Sequence, residues 1–353
     1  MKKQTVRLIQ KILITAFTTL FAFMLTATGI LKDNESTITA ALGQTDYYIE
    51  QSEGDNGPKE LYPSKFKSIR ELVYNGYNVQ LEEQKEGTVL LKNDNDALPL
   101  KKGSKISVFG AASVNPFYGA SGSGGINTKD KISWYEAFSG VHYEAADPKE
   151  KIDGEDYFTV NQKLAADYEG WATGKNAYAP SSSVSKVVIG DAPWNVVSAG
   201  EGYADIANYG DAALMIIKRT GGEGYDLPAT TGKNEQYGNT SYATAVDSDG
   251  VNGDYLSLSA SEQSVLEVLK QLKAEGKIKK IVLILNMAST IQLDFLKTGK
   301  YVVDACVWAG AVGEFGTIAV TKLLCGEWNF SGGLSTTLWY DNLANPVNSN
   351  FTD

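Results

Sequence analysis

The stretch that decides the fold is YGDAALMIIKRTGGEGYD, residues 209–226. Its first half contains a continuous apolar run, which extends from Ala212 to the lysine at position 218. Such a run is typical of a strand that is buried on both faces of a parallel sheet. Its second half is rich in glycine and places Glu223 between Gly222 and Gly224. The sequence therefore predicts a buried strand followed by a glycine-rich loop that carries a carboxylate.

Three other segments repeat the pattern of the apolar strand: KISVFG (105–110), KIVLILN (280–286) and DACVWAG (304–310). Helical segments alternate with them. The stretch SASEQSVLEVLKQLKAEGK (259–277) has apolar residues at helical spacing, with Ser259 or Ser261 as its cap, and GEFGTIAVTKLLCG (313–326) is a second helix. This order predicts an α/β fold, a doubly wound αβα sandwich with a mostly parallel sheet.

Two segments precede the sandwich. Lysines and an arginine at the start of the chain lie before ILITAFTTLFAFMLTATGIL (12–31), an uncharged apolar segment. We expect residues 1–31 to be an apolar helix that serves as a signal or membrane anchor, so that the protein is exported and is either anchored to the cell membrane or extracellular. Residues 32–65 are polar and predict a linker. A helix is then predicted from Ile69, Leu72, Val73 and Tyr77, leading into the run 88–91.

Composition excludes several classes of function. The 353 residues carry a formal net charge of −10, and no basic cluster lies outside the N-terminus, so we expect no nucleic-acid partner. Cys306 and Cys325 lie in apolar surroundings that favour free thiols over a disulfide. His142 is the single histidine, which argues against a Ser-His-Asp triad and against zinc sites that need several histidines. We expect no metal and no cofactor.

Two motifs suggest ligands but fit them poorly. The glycines at 119–125 do not follow the strand directly, as a dinucleotide fingerprint requires. The stretch DSDGVNGDY (247–255) alternates oxygen-bearing side chains like a calcium loop, but it lacks the glutamate that completes an EF-hand. We interpret the first as a close-packed loop and the second as a solvated turn.

The loops that follow parallel strands meet at one edge of the sheet, where ligands bind. We therefore expect four stretches to lie together: GASGSGG (119–125), RTGGEGYD (219–226), NMAST (286–290) and WAGAVGEFG (308–316). A carboxyl group that is partly shielded from water there would have a raised pKa, as a general acid needs. A surface glutamate in a turn is the alternative for Glu223, and spacing alone leaves both interpretations open.

Several motifs occur in an order and spacing that resemble glycoside hydrolase family 3. They are EGTVLLKN (86–93), ALPL (97–100), KISVFG, YGASGSGG, the stretch 209–226 and DACVWAGAVGEFGTIAVTKLLCGEWNFSGGLSTT (304–337). The resemblance covers about residues 80–340 and is to the α/β sandwich domain of these β-glucosidases. It implies that residues 66–345 form that domain and that 346–353 are a truncated tail. It also implies that Glu223 is the general acid/base for a β-linked oligosaccharide or glycoside. Tyr225, Asp226, Ser121 and Gly122 would bind substrate around it.

The same resemblance implies a missing partner. The nucleophile of the family is an aspartate in a Ser/Thr-Asp-Trp motif of a (β/α)8 barrel, and this chain contains no such tripeptide. We therefore expect an incomplete enzyme from a member with reversed domain order, inactive by itself. Phe330, Gly333 and Ser335 depart from the usual family sequence at the end of the domain. A non-catalytic carbohydrate-binding or surface module, or a fragment without an independent role, are the alternatives.

Overall fold

The structure is a computed structural model. It describes residues 2–33, 64–120, 125–126, 130–144, 150–173, 178, 181–182, 186–189, 191–221, 236–237, 240–241, 244–246 and 255–346. The chain divides into two compact units, Met1–Ser64 and Lys65–Asp353.

The first unit contains helix α1, Lys2–Asp33. Its segment Thr5–Lys32 has 28 residues and a mean hydropathy of 1.8. Within the described ranges it is the one helix long and apolar enough to cross a membrane, although a signal sequence near an N-terminus has the same properties. The N-terminal apolar helix is thus present as the sequence predicts.

The second unit is built from eleven described strands and seven described α-helices. The strands are β1 (Val89–Asn93), β2 (Ser104–Phe109), β3 (Phe158–Val160), β4 (Ser181–Ser182), β5 (Lys186–Val188), β6 (Ala212–Arg219), β7 (Gln236–Tyr237), β8 (Thr240–Ser241), β9 (Thr244–Val246), β10 (Ile281–Met287) and β11 (Ala305–Trp308). The helices are α2 (Ile69–Gly87), α3 (Trp134–Phe138), α4 (Gln162–Ala172), α5 (Trp194–Val197), α6 (Ala260–Ala274), α7 (Phe295–Thr298) and α8 (Gly316–Leu324).

Six strands form the main sheet in the order β1-β11-β10-β6-β2-β3. Strand β1 is antiparallel to β11, and all other neighbours in this sheet are parallel. The four strands expected from apolar runs are β2, β6, β10 and β11, and the predicted mostly parallel α/β sheet is confirmed. Short strands form a second sheet, β4-β5-β9, and the pair β7-β8.

Both faces of the main sheet are buried, which explains the continuous apolar runs. Along β6, Ala213, Met215 and Ile217 belong to one core cluster, and the residues between them belong to the cluster on the opposite face. Helices α4 and α6 contribute to the first cluster, whereas α3 and α8 contribute to the second. The protein is therefore an αβα sandwich in which strands lie between two helical layers.

Helix α6 shows how local sequence sets a boundary. Ser259 is its N-cap: the Ser259 hydroxyl accepts from the Glu262 N–H, and the Glu262 carboxylate accepts from the Ser259 N–H. This capping box fixes the start of the helix at Ser259 rather than at Ser261. The predicted apolar stripe is buried, namely Val265, Leu266, Leu269 and Leu272.

Helix α2 forms where the sequence predicts it, but a different face is buried. Only Tyr77 of the four predicted stripe residues is buried, and Ile69 and Leu72 are 66% and 50% exposed. The buried side consists of Tyr77, Leu81 and Gln84, because these side chains face α8 and the aromatic cluster around Phe315. The apolar spacing therefore predicted the helix correctly, and contacts with α8 decide which of its faces is buried.

Candidate functional site

The order of the parallel strands defines a topological switch point. In chain order the strands run β2, β3, β6, β10 and β11, whereas in space they lie as β3-β2-β6-β10-β11. The chain therefore moves outward from β2 to β3 and then returns to the other side of β2. Ligands of such open sheets bind outside the carboxyl ends of the two strands at this reversal, here β2 and β6.

The loop with the predicted acid/base leaves β6 at this point. Strand β6 ends at Arg219, and Glu223 follows four residues later. Glu223, Tyr225 and Asp226 lie outside the described residues, as do Ser121 and Gly122 in the loop after β2. The stretch 247–254 also lies outside them. What the structure does show is the set of described side chains that holds the two loops at their bases.

Arg219 anchors the base of the Glu223 loop. Its guanidinium is fully buried and makes a bidentate ion pair with Glu262, at 2.7 Å from Nη1 to Oε1 and 2.8 Å from Nη2 to Oε2. The same guanidinium donates to the carbonyls of Tyr255 (2.9 Å) and Ser257 (2.6 Å). The Tyr255 hydroxyl in turn donates to the Thr220 carbonyl. The loop therefore leaves the sheet from a fixed point.

Sequence reasoning placed Arg219 in the loop and did not find this role. The signal is weak but present. Six apolar residues are followed by Lys218 and Arg219, and a glutamate occupies the N3 position of a capping box 43 residues after Arg219. A buried arginine needs an acidic partner, because an unpaired buried charge is strongly unfavourable.

The carboxyl end of β2 approaches β6 closely. Gly110 has φ of +98°, and a Cβ at this position would clash with the backbone of Ile216. The buried carboxylate of Asp191 accepts from the Ala111 N–H at 3.0 Å and from the Ala192 N–H at 2.6 Å. The turn that leads from β2 toward the 119–125 loop thus needs glycine, and it is held by a carboxylate that the sequence alone did not single out.

Lys218 brings a perturbed cation to the switch point. It lies half-buried in β6, and its ammonium donates to the Asn115 carbonyl at 3.0 Å. Burial, together with the smaller effect of the nearby Lys131 charge, lowers the pKa of Lys218 to about 8. Perturbed groups of this kind are frequent at functional sites.

Asn286, near the end of β10, joins two loops of the same edge. Its Oδ1 accepts from the Phe117 N–H at 2.7 Å, and its Nδ2 donates to the carbonyls of Phe117 (3.1 Å) and Gly310 (2.8 Å). One side chain at the end of β10 thereby fastens the loop after β2 to the loop after β11. The sequence predicted that these loops share an edge, and the structure confirms it.

Three hydroxyl groups near the carboxyl ends of β6 and β10 have no hydrogen-bond partner among the described residues. Thr220 follows β6, and Ser289 and Thr290 follow β10. The two strands end side by side, because Met287 of β10 is paired with Arg219 of β6. Their hydroxyl oxygens are buried and make no hydrogen bond in the described structure. Buried hydroxyls usually find a partner, so these three groups set a demand for hydrogen bonds that the described residues do not meet.

Further along the edge, Glu314 lies just before α8, and its half-buried carboxyl has a raised pKa, because burial disfavours the charged form. Across the described ranges, no cluster of three or more His, Cys, Asp or Glu side chains could hold a metal ion. His142 pairs with Ile152 in an isolated bridge, and both cysteines are free thiols.

The described part of the chain is thus an open α/β sandwich with its topological switch point at the carboxyl ends of β2 and β6. The sequence profile of the glycosyl hydrolase family 3 C-terminal domain matches residues 88–353, and the chain belongs to this family. The resemblance predicted from the motifs is confirmed.

Individual relatives are β-glucosidases. Beta-glucosidase A of Butyrivibrio fibrisolvens is 23% identical over 262 residues, which are 71% of this chain and 27% of that protein. Beta-glucosidase cel3A of Pyricularia oryzae is 27% identical over 262 residues, 72% of this chain and 28% of the relative. The chain thus spans little more than a quarter of the length of these relatives.

Solved structures agree on the fold. Beta-glucosidase 3B from Thermotoga neapolitana in complex with glucose is 25% identical, with a TM-score of 0.56, and the match covers 77% of this chain and 32% of that chain. A beta-glucosidase from Paenibacillus barengoltzii has a TM-score of 0.52 at 22% identity, over 79% of this chain and 26% of that chain.

Proposed function

We propose that this chain is the acid/base-bearing domain of an exported retaining β-glycosidase that acts on a β-linked oligosaccharide or glycoside, with Glu223 as general acid/base. The observation that carries the proposal is the origin of the Glu223 loop. It leaves the carboxyl end of β6, one of the two strands at the topological switch point, in a domain of a family whose relatives are β-glucosidases. That is where an open α/β sheet presents side chains to a ligand.

The chemistry requires a carboxyl group that changes its protonation state. In a retaining glycosidase, one carboxylic acid protonates the leaving oxygen while a second carboxylate, about 5–5.5 Å away, attacks the anomeric carbon. The acid, now a carboxylate, then deprotonates the water that releases the glycosyl-enzyme. Glu223 would perform the proton transfers, and glycines on both sides would let a bulky sugar approach it.

Rigidity at the base of the loop supports this role. A catalytic group must be held near its productive geometry, since small displacements reduce the rate strongly. The Arg219–Glu262 ion pair and the Asn286 hydrogen bonds fix the strand ends from which the loops depart. Tyr225, Asp226, Ser121 and Gly122 would bind the substrate around Glu223.

The nucleophile would come from elsewhere. We propose that a (β/α)8 barrel outside these residues supplies an aspartate nucleophile and most of the sugar-binding site. The isolated chain would then hydrolyse glycosides at no useful rate, because covalent catalysis and positioning would both be missing. The apolar helix α1 would direct export and either anchor the protein to the cell membrane or be removed.

A domain exchange tests the role of Glu223. Residues 88–353 would replace the matching domain of the Thermotoga β-glucosidase 3B, and the chimaera would be assayed on an aryl β-glucoside. We expect Glu223→Gln to lower turnover by about 10²–10⁴-fold, the usual contribution of general acid/base catalysis. Sodium azide, which attacks without a general base, should restore turnover and yield the glucosyl azide.

The control is Glu201→Gln, an exposed glutamate in a 3-10 helix at Glu201–Tyr209. It should leave turnover and the azide response unchanged. Full activity of the Glu223→Gln chimaera would rule out the acid/base role. Brisk hydrolysis by the isolated chain would separately refute the need for a barrel.

A further inference from the structure

An aromatic pocket lies toward the amino ends of β2 and β3. It has a volume of about 390 Å³ and is lined from α2, α8 and the segments that lead into β2 and β3. Lys102 and Tyr157 precede the amino ends of β2 and β3, and Trp328 follows the last turn of α8. The volume is within the range of small-molecule sites, about 300–1,000 Å³.

The floor of this pocket is aromatic and rigid. The rings of Tyr77, Tyr143 and Phe315 meet edge to face, with centroids 5.2–5.7 Å apart. Tyr77 and Tyr143 line the pocket and are 6% and 2% exposed. Edge-to-face packing of three rings fixes their orientation, so the floor is formed before any ligand arrives.

The rim adds half-buried aromatic side chains. Tyr74 and Trp328 line the opening, and neither is fully covered by the protein. The ammonium groups of Lys322 and Lys85 lie 4.8 and 5.4 Å from the Trp328 ring centroid, which holds the indole in place.

The charges of the pocket cancel. Lys102 and Lys322 both pair with Glu327, at 2.9 Å each, and the Tyr157 hydroxyl donates to the same carboxylate at 3.1 Å. These partners hold the pKa of Glu327 down to about 2 against the opposing effect of burial. Glu155 lies on the wall, and Glu327 pairs with both lysines behind it, so the charges of Lys102 and Lys322 are balanced. The pocket therefore favours an uncharged ligand over a phosphate or another anion.

Another pocket of similar volume has a different lining. A pocket of about 420 Å³ near the start of β2 is lined by Lys101, Lys102, Lys279 and Lys280, with Asp211, and no aromatic ring is among its described lining residues. Similar volume is thus combined with quite different chemistry. Of these two pockets, the aromatic one joins flat aromatic surface to balanced charge and to polar groups such as Asn78 and His142.

We propose that this aromatic pocket binds a neutral saccharide of one or two pyranose units, at a site separate from the catalytic edge. Pyranose rings present C–H groups on their faces, which pack on aromatic rings, and hydroxyls at their rims, which need polar partners. Tyr74 and Trp328 supply aromatic surface for the faces, and Asn78, Glu155 and His142 supply polar partners for the hydroxyls. Such a site would hold the protein on an oligosaccharide whether or not Glu223 is catalytic.

The test is a titration of the full chain in mild detergent with cellobiose, followed by calorimetry and by tryptophan fluorescence. We expect saturable binding that Trp328→Ala weakens by at least about tenfold, as for an aromatic hot spot. Tyr340→Ala is the matched control, because that ring also lies under a lysine, Lys297, at 4.0 Å and is 46% exposed. It should bind cellobiose like the parent chain.

A second variant guards against misfolding of the first. Asn78 is exposed on α2, so Asn78→Trp fills the mouth of the pocket without removing a core contact, and it should also abolish binding. Glu223→Gln should bind normally. Four results would each overturn the proposal: no saturable binding, unchanged binding in both pocket variants, loss of binding in Glu223→Gln, or binding of inorganic phosphate in place of cellobiose.

Discussion

Replacing Arg219 by methionine should destabilise the sandwich strongly. The guanidinium is fully buried, pairs with Glu262 through two short hydrogen bonds and also donates to the carbonyls of Tyr255 and Ser257. Arg219→Met leaves a buried carboxylate without its cation and these carbonyls without a donor. Breaking a buried ion pair in this way costs about 3–5 kcal/mol of unfolding free energy.

The assay is thermal and urea unfolding of the full chain, followed by circular dichroism. For a domain of this size 1 kcal/mol corresponds to about 2–4 °C, so the melting temperature should fall by about 6–20 °C. The control is Lys163→Met, which breaks a surface ion pair with Asp205. The Lys163 side chain is 59% exposed, so this change should alter the melting temperature little.

A double-mutant cycle identifies the cause of this loss. Glu262→Met should lower the unfolding free energy as much as Arg219→Met does. The double variant buries no unpaired charge, so its loss of unfolding free energy should be about 3–5 kcal/mol smaller than the sum of the two single losses. A loss below about 1 kcal/mol for Arg219→Met, or additive losses, would refute the reasoning.

Three further outcomes follow from single side chains. Folding lowers the pKa of Lys218 from 10.5 to about 8, so between these pH values the unfolded chain binds more protons than the folded chain. Stability against urea should therefore rise with pH in this window, and Lys218→Met should remove the rise. Gly110→Ala should cost about 1–3 kcal/mol more than Gly103→Ala in the same measurement, because both glycines have positive φ but only Gly110 is packed against backbone. In alkylation at pH 8 followed by mass spectrometry, half-buried Cys325 should react before Cys306, whose burial raises its pKa to about 12.

The central strands were predictable from sequence because burial on both faces leaves a continuous apolar run that few other structures produce. Helix α6 was equally clear, since its stripe and its cap agree. Strand β3 could not be recognised, because Phe158–Val160 is three residues long and alternates like many loops. The orientation of α2 was also hidden, because it depends on what α8 presents and not on α2 itself.

The candidate site was predictable as an edge but not as a set of contacts. Parallel strands oblige their following loops to meet, so the glycine-rich stretches could be grouped without coordinates. The partner of Arg219 is 43 residues away and that of Asn286 is 169 residues away, and no local pattern encodes such pairings. Glu223 itself owes its assignment to the family resemblance, and its catalytic role stays a prediction.

The hydrogen bonds of Asn286 have a kinetic consequence. The Phe117 N–H belongs to a loop, where amide protons ordinarily exchange with solvent through small local openings. Here its acceptor is a fully buried side chain at the end of the central strand β10. That proton can exchange only when the strand end separates from the loop, so a loop amide should report the opening of the sheet and exchange on its slow timescale.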